Sequence, residues 1–136
     1  VAVAVIEDMT MKLLKILPFL CLGSVYAQVP EAAQALFDRY QQAGDAQRGQ
    51  ALWQQQHNTA GKNRRCGSCH GDDLSQTGKH ATTGKIIQPM ALSVNPQRYQ
   101  DPAKIEKWFK RNCQWTLGRE CSPQEKADFL RYLIEK

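Results

Sequence analysis

Cys66-Gly67-Ser68-Cys69-His70 is the stretch on which the reading of this chain turns. Two thiols separated by two residues fall on one helical turn, and an imidazole follows at once. This is the attachment signature of c-type haem: the thiols form thioethers with the two vinyl groups, and the adjacent imidazole of His70 falls beneath the iron. Three other uses of such a motif fit worse. A thioredoxin-like redox pair wants a preceding strand and a βαβ pattern, and neither is visible. A structural zinc site wants a second ligand pair, but Cys113 and Cys121, with seven residues between them, are too far apart for a zinc knuckle. A plain disulfide between Cys66 and Cys69 leaves His70 unexplained.

Upstream of the motif, residues 11–27 run from a basic start (Lys12, Lys15) through an apolar stretch to Val25-Tyr26-Ala27. That pattern predicts a secretory signal peptide cleaved after Ala27, with the natural start at Met11 or Met9. The uncharged stretch from Ile16 to Ala27 is 12 residues long, well short of the roughly 20 that span a bilayer, so stable membrane insertion is not expected. Bulky Phe19-Leu20 before Cys21 argue against a lipoprotein signal. The expected organisation is upstream residues and signal peptide over 1–27 and one haem domain over 28–136, exported to the periplasm. Four cysteines remain after cleavage, in an oxidising compartment.

The chain has 136 residues, 42% hydrophobic and 23% charged, with a formal charge of +5, which suits one compact domain. Trp53, Trp108 and Trp115 are not interleaved with a basic run, so a nucleic-acid partner is not expected. The positive surface suits an acidic protein partner by electrostatic steering.

Four helices are predicted. The first follows Pro30, with Ala33, Leu36, Phe37 and Tyr40 at helical spacing until Gly44. The second starts at Asp45 as cap and reaches Gln56, with Gly49, Leu52 and Trp53 on one face; its glycine admits a closely packed neighbour. Residues 57–65 read as a polar loop. The third follows the Asp101-Pro102 cap, carries the stripe Ile105, Trp108, Phe109 and a Glu106–Lys110 pair, and ends near Arg111. The fourth opens with the capping box Ser122-Pro123-Gln124-Glu125 and continues through Ala127, Leu130, Leu133 and Ile134. The thirty residues between His70 and Asp101 show no sustained period, and so long a connection in a small domain is expected to wrap something. A large buried cofactor answers that need and the thin apolar content of the helices.

With Cys66 and Cys69 assigned to haem, Cys113 and Cys121 are left to form a disulfide. What occupies the sixth side of the iron then decides function, since a strong ligand makes an electron carrier and a weak one leaves a binding position. Met90 is the one methionine after residue 27, but 20 residues past His70 is close for a methionine ligand, and packing against the haem face as apolar filler is the preferred role. His57 and His80 lie in polar loops, His80 being the better candidate of the two. Spacing alone makes Asn112 a helix C-cap.

Arg111-Asn112-Cys113, Gly118-Arg119-Glu120-Cys121-Ser122-Pro123 and Glu125-Lys126-Ala127-Asp128 closely resemble the sphaeroides haem protein family of class I c-type cytochromes, related to cytochrome c double-prime. Thr83-Gly84-Lys85, Pro89 and Ile105-Glu106-Lys107-Trp108 look like the same family, although Met90 stands where leucine is common. The resemblance implies an all-α class I cytochrome c fold around one covalent haem c, with His70 and Asn112 as axial ligands. A histidine takes the asparagine's place in the double-prime branch, so Asn112 points to the ligand-binding branch. By resemblance, the ferrous haem binds O2, NO or CO after Asn112 leaves. The same resemblance implies nitric oxide dioxygenase activity and, as electron donors, a dihaem cytochrome c and a membrane cytochrome of the b561 type. The alternative is a simple electron-transfer cytochrome with His70 and Met90 as ligands.

Overall fold

The computed structural model describes residues 28–136, so the signal peptide and its cleavage point lie outside the described residues. Helix α1 (Glu31–Tyr40) and helix α2 (Ala46–Gln54) are followed by strands β1 (His57–Thr59) and β2 (Lys62–Arg64). The one-turn helix α3 (Gly67–His70), strands β3 (Gly78–Lys79) and β4 (Ile86–Ile87), and helices α4 (Pro102–Leu117) and α5 (Pro123–Ile134) complete the order.

The expected start signals act as read. The Asp45 side chain accepts the Arg48 N–H, Asp101 accepts those of Ala103 and Lys104, and Ser122 with Glu125 closes a reciprocal capping box. Helix α2 crosses α5 at close range because Gly49 presents no side chain: a Cβ there would collide with the Asp128 carbonyl and Tyr132. Asp128, 2% exposed, locks the crossing by accepting hydrogen bonds from the Asp45 N–H, the Arg48 guanidinium and the Gln124 amide. Helices α1, α4 and α5 meet at Glu106, which accepts bonds from the Tyr40 hydroxyl at 2.6 Å and the Lys126 ammonium at 2.9 Å. Burial opposes ionisation of this carboxyl, but the two donors hold it below the ordinary range. The expected Glu106–Lys110 pair is therefore replaced by contacts across helices.

Three expectations need correction. The fold is helix-rich but not all-α, because β1 pairs with β2 and β3 with β4, each antiparallel. Residues 57–65 are not a loop. They form a tight hairpin whose turn residues Ala60 and Gly61 both have positive φ, the geometry that matches strand twist. Helix α4 does not end near Arg111 but runs six residues further, to a left-handed Gly118. Nothing between Asn112 and Leu117 breaks a helix, and its exposed C-terminal carbonyls find donors in the new hairpin. The Thr59 hydroxyl donates to the Thr116 carbonyl and the Arg64 guanidinium to that of Trp115, both at 2.7 Å.

The long 71–100 segment has no long elements, yet it is stitched. The Leu74 carbonyl accepts the N–H groups of Met90 and Ala91, each at 2.9 Å, and the Tyr99 hydroxyl donates to the Met90 carbonyl at 2.6 Å. Leu74, Met90, Ala91 and Tyr99 are buried in the main core cluster.

Candidate functional site: a haem attachment centre

Cys66 precedes α3 as its cap residue, and Cys69 and His70 end that single turn. Both thiols are free rather than joined to each other. Burial pushes the Cys66 thiol up to about 12. The Ala81 N–H approaches the Cys69 Sγ at 3.3 Å. A Cβ on Gly78 would collide with the Cys69 carbonyl, so only glycine lets β3 run this close to the motif.

Trp53 of α2 packs on the His70 ring with centroids 5.3 Å apart, and its indole N–H reaches the Gly71 carbonyl at 3.4 Å. Among the described residues no hydrogen bond reaches the His70 ring, and its Nδ1 is buried without a partner. Burial, with the charges of Arg98 and His80 nearby, pulls the imidazole down to about 4. A neutral, unpaired imidazole has a lone pair to give to a metal.

Helix α4 has two faces. Ile105, Cys113 and Thr116 are buried, and Phe109 packs on Phe129 with ring centroids 6.4 Å apart. Trp108, Asn112 and Trp115 recur at i, i+4, i+7 on a second face that the chain covers poorly: Trp108 is 38% exposed and Asn112 is exposed. The Arg98 guanidinium lies over Trp108 at 4.9 Å from the ring centroid, and His80 faces Trp115 at 6.4 Å. His80 adjoins Ala81, whose N–H approaches the Cys69 Sγ of the attachment turn. The chain thus brings the attachment turn and the second face of α4 to common neighbours.

Asn112 sits inside the helix, one residue before Cys113, and its amide makes no hydrogen bond among the described residues. It is therefore not the C-cap that spacing suggested; Gly118 is. Cys113 and Cys121 are paired with Cα atoms 5.6 Å apart, linking the second half of α4 to the start of α5. Met90 is 6% exposed, in the core. His57 opens β1. His80 Nδ1 accepts the N–H groups of Thr82 and Thr83 at 3.2 and 3.1 Å, which ties this nitrogen to its own loop. Trp115, Gly78 and Arg98 were missed in the sequence. The i, i+4, i+7 spacing would have revealed Trp115, whereas no local signal marks Gly78 or Arg98.

These residues fit a haem: two unpaired thiols at thioether spacing, a neutral imidazole with no protein partner, and a poorly covered aromatic face sharing their neighbours. The fold and the site define a c-type cytochrome with one covalently bound haem c. A family model described as a domain of unknown function, DUF1924, matches residues 39–133. The cytochrome c-type protein SHP of Cereibacter sphaeroides is 46% identical over 91 residues, 65% of this chain and 69% of that protein. Cytochrome c'' of Methylophilus methylotrophus is 44% identical over 75 residues, 55% of this chain and 52% of that protein. The structure of oxidized SHP, described as an oxygen-binding cytochrome c, superposes with a TM-score of 0.69 at 41% identity, over 80% of this chain and 100% of that one. Oxidized cytochrome c'' superposes with a TM-score of 0.67 at 34% identity, over 76% and 93%. The chain belongs to the DUF1924 family, with SHP and cytochrome c'' as its homologues.

Proposed function

We propose that this cytochrome is exported to the periplasm and binds small diatomic gases, O2, NO or CO, at ferrous haem once Asn112 has withdrawn from the sixth position. One observation carries the reading: the Asn112 amide is exposed and unpaired on the tryptophan-bearing face of α4, not spent on capping the helix. When bound, the haem supplies an iron that accepts an electron and takes a gaseous ligand. Cys66 and Cys69 would anchor the macrocycle as thioethers, and His70 would hold the metal through its imidazole. Asn112 would offer a neutral amide oxygen, a hard and weak donor that suits ferric iron better than ferrous iron. Were it released on reduction, its amide N–H would be free to donate to an incoming ligand. The Cys113–Cys121 disulfide would position Asn112 by fixing the following turn to α5.

Domain limits of 1–27 for upstream residues and signal peptide and 28–136 for the haem domain belong to the same reading. So do nitric oxide dioxygenase activity and reduction by a dihaem cytochrome c fed by a membrane b561-type cytochrome. Among the described residues no helix is long and apolar enough to cross a membrane.

The test compares optical and electron paramagnetic resonance spectra of oxidised and dithionite-reduced protein, then adds carbon monoxide. A reduced form that binds carbon monoxide, and an Asn112→His variant that stays six-coordinate and does not, are expected. A long-wavelength methionine–iron band in the oxidised protein, or carbon monoxide binding unchanged in Asn112→His, would refute the assignment of Asn112.

A further inference from the structure

Helix α4 turns a row of positive charge outward, beside the face offered to the haem. Lys104, Lys107, Lys110 and Arg111 are all exposed, and among the described residues none of them forms an ion pair. Glu106 is the one carboxylate within Pro102–Leu117, and the tertiary structure takes it away: it accepts from Tyr40 and Lys126 rather than from Lys110. By contrast, Arg48 of α2 and Lys126 and Arg131 of α5 each stand within ion-pair distance of a carboxylate.

This arrangement weakens the helix that carries it. Lys104 with Lys107, and Lys107 with Lys110, are like charges at i, i+3, and Lys107 with Arg111 at i, i+4; such pairs repel. Lys104 also sits in the first turn, where the helix dipole disfavours a cation. A partner that brings carboxylates turns these costs into attraction. Lys107 and Lys110 further line, together with Glu106, Glu120, Cys121 and Lys126, a recess of about 210 Å³ between α4 and the segment leading into α5, with room for a carboxylate side chain.

Lys104 and Arg111 lie one helical turn to either side of Trp108, so whatever docks on the row abuts the face of α4 that also bears Asn112. The row has no apolar anchor. Among the described residues the exposed large hydrophobics are Ile86, Val94 and Trp108, and the Arg98 guanidinium lies over Trp108. A helix held on a membrane sinks an apolar face into lipid, whereas an acidic protein is steered and held by charge.

We infer that the outward row of α4 is the docking surface for an acidic protein that delivers the electron to the haem. The inference rests on the reading above that a protein donor reduces the iron, and not on Asn112 as the sixth ligand.

The test follows one-electron reduction of the ferric, haem-loaded protein by reduced plant-type ferredoxin, an acidic donor of low potential whose cluster is oxidised as the iron is reduced. Two triple variants with equal change of charge are compared: Lys104→Glu, Lys107→Glu, Lys110→Glu on α4, and Lys62→Glu, Lys79→Glu, Lys85→Glu, exposed sites outside it. At low ionic strength the second-order rate is expected to fall about tenfold or more in the α4 triple and less than about threefold in the other. The gap should close near 1 M salt, where the Debye length is about 3 Å. Neutral lumiflavin semiquinone should reduce all three proteins equally fast. Equal losses in the two triples, or none in the α4 triple, would overturn the proposal. So would an α4 triple that reacts with ferredoxin as wild type does but no longer binds phosphatidylglycerol vesicles. If the α4 triple loads haem poorly or reacts slowly with lumiflavin, carbodiimide cross-linking of wild type to ferredoxin decides. Links at Lys104, Lys107 or Lys110 support the docking surface, and links confined to other lysines refute it. Carbon monoxide binding by the reduced protein reads the ligand position separately, so the two readings can fail independently.

Discussion

Replacing Gly49 by alanine tests whether the α2–α5 crossing positions the haem centre. In a solvent-exposed helix this change stabilises by about 1 kcal/mol, because alanine is the better helix former. Here the new methyl would stand 2.7 Å from the Tyr132 Cβ, where ordinary contact begins at 3.4 Å, and would meet the Asp128 carbonyl as well. Neither neighbour can rotate away, since one is backbone and the other is fixed to it, so the helices must part by at least about 0.7 Å, the Asp128 carbonyl oxygen being closer still, a gap that forfeits a quarter to a half of each dispersion contact. If the crossing holds about as many contacts as one large buried side chain, on the order of 6 kcal/mol of attraction, the loss is roughly 2–3 kcal/mol. The propensity gain offsets part of it, leaving a net destabilisation of about 1–2 kcal/mol, or roughly 5–10 °C in Tm. Guanidinium chloride unfolding of the haem-loaded protein reads this, with Gln50→Ala, an exposed site on the same helix, expected within about 0.5 kcal/mol of wild type. Because Trp53 rides on α2 and packs on His70, the variant should also show an altered Soret circular dichroism band. A Gly49→Ala protein as stable as wild type, with the same Soret band, would refute the reasoning.

Hydrogen bonds from the Arg119 guanidinium, helped by the Ser122 N–H, hold the Glu125 carboxyl at about 2, below its ordinary 4.5. The stabilisation is therefore complete above the ordinary value and disappears as pH falls through the folded one; with Arg119 half exposed it amounts to about 1 kcal/mol. Glu125→Gln keeps the capping geometry and should flatten stability between these limits, and an acid-unfolding profile identical to wild type would count against the pairing. The double change Cys113→Ser, Cys121→Ser should cost about 2–3 kcal/mol in denaturant unfolding, from the loop-closure entropy of so short a ring. It should also make carbon monoxide rebinding multiphasic; single-phase kinetics unchanged from wild type would show that the disulfide does not position Asn112.

How legible the site was depended on how local its chemistry is. Cys66, Cys69 and His70 are adjacent along the chain, so their spacing alone carries the haem reading. The caps at Asp45, Asp101 and Ser122 are equally local, and all three hold. Asn112 was different: asparagine tolerates the left-handed conformation, so its own chemistry suggested a cap, and the resemblance to a family was what pointed toward the iron. Helix α4 continues past it because Thr59 and Arg64, more than 50 residues away, supply donors to the terminal carbonyls. That contact was invisible in a window around Asn112. The 57–65 hairpin was missed for a related reason, since its strands are three residues each and polar, without the alternation that marks a half-buried strand.

The amino-acid sequence by itself pointed to the cofactor and to the attachment residues proposed for it, because covalent chemistry needs thiols and imidazole at a spacing written in consecutive residues. It also determined where most helices begin, since caps bond to N–H groups two or three positions away. Only the tertiary structure decided that α2 and α5 touch through Gly49, that Trp53 walls His70, and that Arg98 and Trp108 stand together. Those relations are between segments distant in the chain, and burial and close packing, which no local pattern encodes, are what select them.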